Sequence, residues 1–227
     1  MLASDIISRA RTVLSDSDGT RWSDSELLGW INDGQRTIAL VRPDSSVADT
    51  AVTLIAGTKQ SIPSNGLRLL DVMRNLNADG SGGRTVRSVD RDILDTQDLN
   101  WHSSTPAQVI KNFIYDNRNP KVFYVYPPAT TASVLEIIYS RNPTDCSVTS
   151  SALDVADIYA DPLLNYVLYR AYSKDAEFAA NGQLSATYLT VFNSMLGLKT
   201  KKDASYSPDL NSKGASPSAV AIQMGGV

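Results

Sequence analysis

The chain contains one histidine, His102, which stands directly before two serines, Ser103 and Ser104. A histidine beside a serine suggests a base and a nucleophile, the pair that acyl-transfer enzymes use. Adjacent residues rarely present their side chains to one another as such a pair requires. We therefore interpret His102 as a loop residue packed near Trp101, and we expect the protein not to be an enzyme.

Three aspartates precede the longest helical pattern of the chain: Asp154, Asp157 and Asp161. Carboxylates in such a cluster can ligate a hard cation. Before a helix they more often accept hydrogen bonds from the free backbone N–H groups of the first turn, and we favour this capping role. A hydrolase that uses Asp154 and Asp157 as a carboxylate pair is the enzymatic alternative. We expect no metal and no cofactor.

Two further segments have the composition of an anion-binding site. The loop at residues 79–83 is rich in glycine, but it lacks the lysine and the following helix of a phosphate-binding loop. Arg84, Arg87 and Arg91 form the one local basic cluster, and with Trp101 nearby they suggest a basic contact patch for nucleic acid. A solvated strand face is the alternative interpretation of these arginines.

Composition and charge limit the class of protein. Hydrophobic residues make up 42% and charged residues 20% of the 227-residue chain, which is typical of a soluble globular protein without a membrane span. The formal net charge of -3 argues against a protein that grips nucleic-acid backbones over a broad surface. The single cysteine, Cys146, excludes an intrachain disulfide and argues against a metal site built from histidine and cysteine.

Two amphipathic helices are predicted at the start of the chain. Apolar residues recur with a helical period over residues 3–15. A second pattern begins at Ser23, which has the spacing of a capping box with Glu26, and it stops before Pro43. Gly34 lies inside the apolar stripe of this second helix. Because glycine weakens a helix, its expected use here is to let a neighbouring helix approach closely.

Between Asp49 and Pro143 the hydrophobic period changes from 3.6 to 2, which predicts β-strands. The short turns at residues 56–58 and 116–120 favour antiparallel neighbours. A short helix is predicted at residues 90–97, between the strands. The predicted strands are residues 52–55, 67–76, 107–115, 122–126 and 134–139.

A helical hairpin is predicted near the C-terminus. Residues 157–180 have the apolar period of one helix, which Asn181-Gly182 would close. The second helix has one apolar stripe formed by Leu184, Tyr188, Val191, Phe192 and Met195. The two helices should therefore fold back on one another.

Lys174 and Asp175 interrupt the apolar arc of the first helix in this hairpin. A charge on a buried stripe needs a partner. The N-terminal helices carry Arg9 and Arg11, and we expect a salt bridge to form inside the helical bundle or to the next subunit.

These patterns predict an α+β protein. Each helix has one apolar stripe, so the N- and C-terminal pairs most simply bury these stripes against one another as a four-helix bundle, with an antiparallel β domain inserted. The predicted units are an N-terminal helical pair at residues 1–48, an inserted β-rich domain at 49–143, a C-terminal helical pair at 144–198 and an extended partner-binding tail at 199–227.

The tail combines a polar spacer with a less polar end. Such a segment cannot bury enough apolar surface alone, and we expect it to order against a partner. Its apolar end contains Ala219, Val220, Ile222, Met224 and Val227.

Several short blocks occur together: Arg21-Trp22-Ser23, Glu26-Leu27-Leu28, residues 30–34, Arg74-Asn75, residues 90–95, 123–128 and 169–180. Together they resemble bacteriophage head-to-tail adaptor (connector) proteins, the group that includes tail tubular protein A. The resemblance runs from the first helix to Leu198 and leaves the tail uncovered.

The resemblance implies a structural protein of the virion neck that is assembled in the host cytoplasm. It implies a homo-oligomeric ring, with twelve subunits, that joins the portal protein to the tail nozzle or tube. Packaged DNA would pass through the ring without sequence-specific binding, and the C-terminal segment would dock on the portal. The acidic net charge agrees with a channel in which DNA slides.

A different class of function remains open at this point. A tail-associated binding module would use its β domain to recognise a host glycan or another tail protein. The aromatic residues of the segment 123–128 are then either a sugar platform or, as we favour, part of the sheet core.

Overall fold

The computed structural model of the chain describes residues 1–175 and 179–206. The protein is α+β: two helices, a region of two sheets and two further helices follow one another along the chain. The helices are α1 Ala3–Leu14, α2 Asp24–Val41, α3 Arg91–Gln97, α4 Ala160–Lys174 and α5 Ala179–Tyr206. The strands are β1 Val47–Thr53, β2 Gly57–Ser61, β3 Gly66–Leu76, β4 Gly82–Thr85, β5 Arg87–Ser88, β6 Asn112–Tyr115, β7 Val122–Ala129 and β8 Val134–Arg141.

The helix α2 begins at the predicted cap. The Ser23 side chain accepts a hydrogen bond from the Glu26 backbone N–H at 3.3 Å, and the helix ends at Val41, before Pro43. The Glu26 carboxylate does not complete the capping box, because it binds the Lys174 ammonium of α4 at 2.8 Å. The residue expected to cap α2 therefore ties α2 to α4.

The C-terminal hairpin turns earlier than predicted. The helix α4 ends at Lys174, and α5 has begun by Ala179. Asn181-Gly182 therefore lies inside α5 and does not close α4. The Asn181 side chain instead donates to the Asp175 carbonyl at 3.3 Å. The helix α5 continues to Tyr206, so residues 199–206 are helical and do not belong to an extended tail.

The helix α4 is the centre of the helical layer. The helices α1, α2 and α5 each pack against it, and their buried side chains share one hydrophobic cluster. The packing of α5 is mainly against α4, with little against α1 or α2. The structure therefore does not establish the closed four-helix bundle that the sequence predicts. Fully buried residues of the cluster include Ile6, Leu27, Ile31, Leu163 and Phe192.

The β region consists of two four-stranded sheets with a shared core. The strand orders are β1-β8-β3-β4 and β2-β7-β6-β5, and the parallel pair β5–β6 is the exception among antiparallel neighbours. Alternate residues of β7 and β8 point into the core, as expected for strands with one buried face. The core residues from these two strands include Phe123, Val125, Leu135, Ile137 and Tyr139.

The turn at residues 56–58 does not join neighbouring strands. The strand β1 pairs with β8 and β2 pairs with β7, so the chain crosses from one sheet to the other at this turn. The turn at residues 116–120 does join antiparallel neighbours, β6 and β7. The strand predicted at residues 107–115 is regular only from Asn112, since Ala107 forms an isolated bridge and the Ile110 N–H bonds to the Asn75 side chain.

Candidate interaction surfaces

A cluster of charged residues fixes the turn between α1 and α2. The Arg11 guanidinium binds the Asp24 carboxylate at 2.6 Å and the Asp16 carboxylate at 3.2 Å. It also donates to the Trp22 carbonyl at 3.1 Å. Gly19 has a φ of +67°, and a side-chain carbon there would lie 2.6 Å from the guanidinium. The turn therefore requires glycine at this position.

Asp16 is the central acceptor of this turn. Its carboxylate accepts backbone hydrogen bonds from Thr20, Arg21 and Trp22 at 3.0, 3.2 and 3.1 Å. Burial alone would raise the pKa of Asp16, but these donors outweigh it, so the pKa lies below its ordinary value. Asp16 therefore remains charged at neutral pH and keeps the turn closed.

Two predicted salt-bridge residues connect α4 to the N-terminal helices. Arg9 of α1 binds Asp161 in the first turn of α4 at 2.6 Å. Lys174 in the last turn of α4 binds Glu26 of α2 at 2.8 Å. The two pairs therefore hold opposite ends of α4.

Asp175 binds Arg21, a residue of the turn between α1 and α2. The predicted partners were Arg9 and Arg11, which are both engaged by other carboxylates. The Arg21 guanidinium also lies 4.9 Å from the centroid of the Trp22 ring, a cation–π contact. The pair ties the C-terminal end of α4 to the turn that Asp16 and Arg11 organise.

We expect Asp175→Ala to lower the free energy of unfolding by about 1 kcal/mol or less. The side chains of Asp175 and Arg21 are 21% and 52% exposed, and ion pairs at this exposure contribute little. High salt should reduce the loss, because it screens exposed charges. Urea unfolding at low and high salt measures both effects. The control is Asp18→Ala in the same turn, since Asp18 has no salt bridge among the described residues. An equal loss of stability in both variants would show that the pair of Asp175 and Arg21 does not stabilise the protein.

The helices α2 and α4 approach closely at Gly34. A side-chain carbon at Gly34 would lie 2.5 Å from Leu163 Cδ1 and 3.0 Å from Tyr166 Cδ1. Leu163 is fully buried, and the Tyr166 ring packs against Phe192 with 5.3 Å between ring centroids. Because glycine has no side chain, Gly34 allows α2 and α4 to pack at this short separation.

Two polar side chains of α2 form hydrogen bonds to the segment that connects β8 to α4. Asn32 exchanges two hydrogen bonds with the Cys146 backbone, at 3.1 and 2.8 Å. Gln35 is fully buried and accepts the Asp154 N–H at 2.9 Å. The sequence pattern does not single out either residue, although Gln35 follows Gly34 directly. Burial raises the pKa of the Cys146 thiol, so it is neutral at neutral pH.

The predicted basic patch is divided in the structure. Arg84 of β4 and Arg87 of β5 are exposed and form no salt bridge within the described ranges. Arg91 begins α3 and binds Asp95 at 3.0 Å. Lys111 is a third exposed cation and lies beside Arg87. The backbone N–H of Arg87 donates to the Lys111 carbonyl at 3.1 Å. The unpaired cations therefore lie along β4, β5 and the chain before β6.

His102 takes part in an aromatic contact. Its Nδ1 lies 2.8 Å from the Thr58 hydroxyl, and its ring stacks on Trp101 with 3.6 Å between centroids. The Ser104 hydroxyl donates to Asp98 at 3.0 Å and not to the histidine. His102 therefore packs on Trp101 as expected, and Ser104 is not its hydrogen-bond partner.

The three aspartates near the start of α4 bind separate partners. Asp154 accepts a backbone N–H at 2.6 Å, and Asp157 binds the Met1 amino group at 2.8 Å. Asp161 binds Arg9, and α4 has no side-chain N-cap, so the expected capping role is wrong. Across residues 1–175 and 179–206, no group of three or more His, Cys, Asp or Glu side chains is placed to hold a metal ion.

The aromatic segment of β7 belongs to the interior of the β region. Phe123 is fully buried, and the half-buried Tyr124 and Tyr126 pack against a cluster that contains Leu94 and Trp101. Trp101 is 2% exposed, and its indole N–H is bound by a carboxylate. These rings are therefore not presented as a flat sugar platform.

Comparison with known protein families places the chain among phage adaptors. A family model described as SU10 adaptor protein matches residues 1–213, a range that contains all five helices and both sheets. The match confirms the resemblance to bacteriophage head-to-tail adaptors. No curated protein matches the chain. The apolar tail residues lie beyond the matched range and outside the described residues: Ala219, Val220, Ile222, Met224 and Val227.

Proposed function

The chain belongs to the SU10 adaptor protein family, and we propose that it is one subunit of a ring in the neck of a bacteriophage particle. The ring has twelve copies, joins the portal to the tail nozzle or tube, and lines a channel through which DNA passes. It assembles in the host cytoplasm. The family is one of structural adaptors and not a class of enzymes.

The family match over residues 1–213 is the observation that carries this proposal. It spans the helical layer and the β region together, so the likeness concerns the whole architecture. A structural adaptor acts through its contacts with portal and tail proteins. The ion pairs at both ends of α4 and the close contact at Gly34 supply the rigid frame that such contacts need.

The charge distribution supports a channel through which DNA slides. Residues 1–48 contain five basic and seven acidic residues, and residues 144–198 contain two basic and six acidic residues. The basic residues of both segments form salt bridges, so these helical parts present a net negative charge. Such a surface neutralises few phosphates and does not hold DNA in place.

Removal of residues 207–227 tests the docking role of the tail. The cut follows Tyr206, so α5 stays whole, whereas a cut at residue 199 would remove its last two turns. We expect the truncated protein to remain folded, by circular dichroism, and no longer to sediment with purified phage heads that carry the portal.

A variant in which residues 207–227 are scrambled is the matched control, because it keeps the length and charge of the tail. It should fail to bind as the truncated protein does. Normal binding of the truncated protein would show that the tail does not dock on the portal, and normal binding of the scrambled variant alone would show that docking does not depend on the order of the tail residues. Electron microscopy of the neck should show closed rings of this chain, and a single copy per neck would exclude the ring.

A further inference from the structure

None of the described helices is long and apolar enough to cross a membrane, and the surface feature that stands out is a strip of three cations in the β region. Arg84 lies in β4, Arg87 lies in β5, and Lys111 lies directly before β6. All three side chains are exposed, and none forms a salt bridge within the described part of the chain. Two other arginines of this region, Arg74 and Arg91, are each bound by a carboxylate. The positive charge of the strip is therefore available to a partner.

Backbone contacts hold the three residues of the strip together. The Asn75 amide nitrogen donates to the carbonyls of Arg84 and Ile110, each at 2.8 Å. The Arg87 N–H donates to the carbonyl of Lys111 at 3.1 Å, and β5 pairs with β6. Three residues of extended chain span about 10 Å, and paired strands lie about 5 Å apart. The three cations therefore lie on neighbouring segments of backbone within a short distance.

The exposed side chains around the strip are of the types that bind phosphate. Residues 84–88 have the sequence Arg-Thr-Val-Arg-Ser, and the apolar member, Val86, is 8% exposed. The other four residues of this segment are exposed. Arginine, lysine, serine and threonine side chains make most of the contacts that proteins form with DNA phosphates. A protein interface normally has an apolar centre, which this segment does not expose.

Neither of the aromatic residues nearest to the strip in sequence is exposed. Trp101 and Phe113 are 2% and 7% exposed, and the indole N–H of Trp101 is bound by a carboxylate. Single-stranded nucleic acid is normally held by stacking of its bases on exposed rings. The strip therefore suits the phosphate backbone of a duplex, whose bases remain stacked on one another.

Resting on the proposed ring, we infer that the strip of Arg84, Arg87 and Lys111 contacts the phosphate backbone of duplex DNA without reading its sequence. Residues 49–143 contain ten basic and nine acidic residues, so the β region lacks the net negative charge of the helical parts. The exposed Asp90, before α3, bounds the strip. Duplex DNA carries one negative charge per about 1.7 Å of its axis, so a strip about 10 Å long lies against several phosphates.

The number of cations makes the contact of one chain weak and sensitive to salt. A protein that neutralises three phosphates should lose about 40-fold in affinity between 50 and 200 mM salt. In the proposed ring, several copies act on one duplex, and their weak contacts reinforce one another. Each contact can still break and form again at the next phosphate, so the DNA is guided and remains free to slide.

The test removes all three charges with Arg84→Gln, Arg87→Gln and Lys111→Gln in one full-length chain. Fluorescence anisotropy measures binding to a labelled duplex of about 30 base pairs at a series of salt concentrations. At 50 mM salt the variant should bind at least about tenfold more weakly than the wild type, and the slope of log affinity against log salt should be smaller by about 3. A duplex of scrambled sequence should give the same result.

The matched control removes three cations from other parts of the β region: Lys59→Gln, Arg118→Gln and Lys121→Gln. Lys59 lies on β2, which forms the opposite edge of the sheet from β5. Arg118 follows β6 and Lys121 directly precedes β7, whereas Lys111 precedes β6. All three control residues are exposed. The control variant has the same net charge as the test variant and should bind DNA within about twofold of the wild type. Circular dichroism verifies that both variants are folded.

Three outcomes would overturn the inference: wild-type protein that does not bind the duplex at low salt, normal binding by the test variant, or equal losses in the two variants. Unchanged DNA affinity with loss of attachment to portal-bearing heads would assign the strip to a protein partner. Closed rings in the neck, seen by electron microscopy, would leave the proposed function intact in each of these cases. Absence of rings would overturn the proposed function, whereas the DNA contact of the purified chain is measured separately.

Discussion

Gly34→Val should lower the free energy of unfolding by about 2 to 3 kcal/mol. The first side-chain carbon alone would lie 2.5 Å from Leu163 Cδ1, well inside a normal contact distance. Leu163 is fully buried and Tyr166 is 8% exposed, so neither side chain can move into water without uncovering the core. Relief of the clash requires α4 to move away from α2. Because α1 and α5 also pack on α4, this movement disturbs the whole helical layer.

Gly29→Val is the matched control in the same helix. A side-chain carbon at Gly29 would meet nothing within 4 Å, and the residue is exposed. The substitution should change stability by less than about 0.5 kcal/mol, with a slight gain because valine has the higher helix propensity. Thermal and urea unfolding of both variants measure the difference. If Gly34→Val were as stable as Gly29→Val, Gly34 would not set the distance between α2 and α4.

Local signals were sufficient to predict the N-terminal helices. The cap at Ser23 and the stop before Pro43 depend on residues close to one another in the chain, and both lie at the predicted positions. Gly34 could be singled out because a glycine on a buried stripe weakens the helix unless a neighbour needs the space. Such inferences require only the helical period and the chemistry of the cap.

Strand pairing could not be predicted from signals of that kind. The segment at residues 56–58 has the composition of a hairpin turn, yet the strands on either side of it pair with β8 and β7. Both partners lie far along the chain. The pairing is set by burial of the apolar faces of both sheets in one core, and turn length does not determine it.

The partners of charged side chains were also decided by tertiary position. The sequence indicates that Asp175 needs a cation, but a long arginine side chain can reach it from either a helix or a turn, and Arg21 of the turn is the one that does. The basic patch shows the same limit. Arg91 is close to Arg87 in sequence but binds Asp95, while Lys111 becomes the neighbour of Arg87 through the pairing of β5 with β6.

Asn75→Asp should destabilise the protein by roughly 3 kcal/mol or more at neutral pH. Asn75 is 4% exposed and holds three backbone groups in place. Its amide nitrogen donates to the Arg84 and Ile110 carbonyls, each at 2.8 Å, and its oxygen accepts the Ile110 N–H at 2.7 Å. The two bonds to Ile110 connect β3 of one sheet to the chain that leads into β6 of the other, and the bond to Arg84 joins β3 to β4 within the first sheet. A carboxylate keeps the single accepted bond but turns both donated bonds into contacts between a charge and carbonyl oxygens.

The loss should depend on pH in a defined direction. The substituted carboxyl group is buried next to two carbonyl oxygens, so its pKa in the folded protein should lie above the ordinary value of about 3.9. Protonation restores one donor and removes the charge. The stability deficit relative to the wild type should therefore be largest above the folded-state pKa and shrink as the pH falls through it.

Asn77→Asp is the matched control, two residues further along the chain. Asn77 is exposed, and its side-chain nitrogen donates to the Ser81 hydroxyl at 2.9 Å. Its substitution should change stability by less than about 0.5 kcal/mol, because water can replace the lost bond. Chemical unfolding of both variants between pH 4 and pH 8 measures the deficit. A deficit for Asn75→Asp that stayed the same at every pH would contradict the buried-carboxylate explanation, and equal stability of the two variants would show that Asn75 does not hold the sheets together.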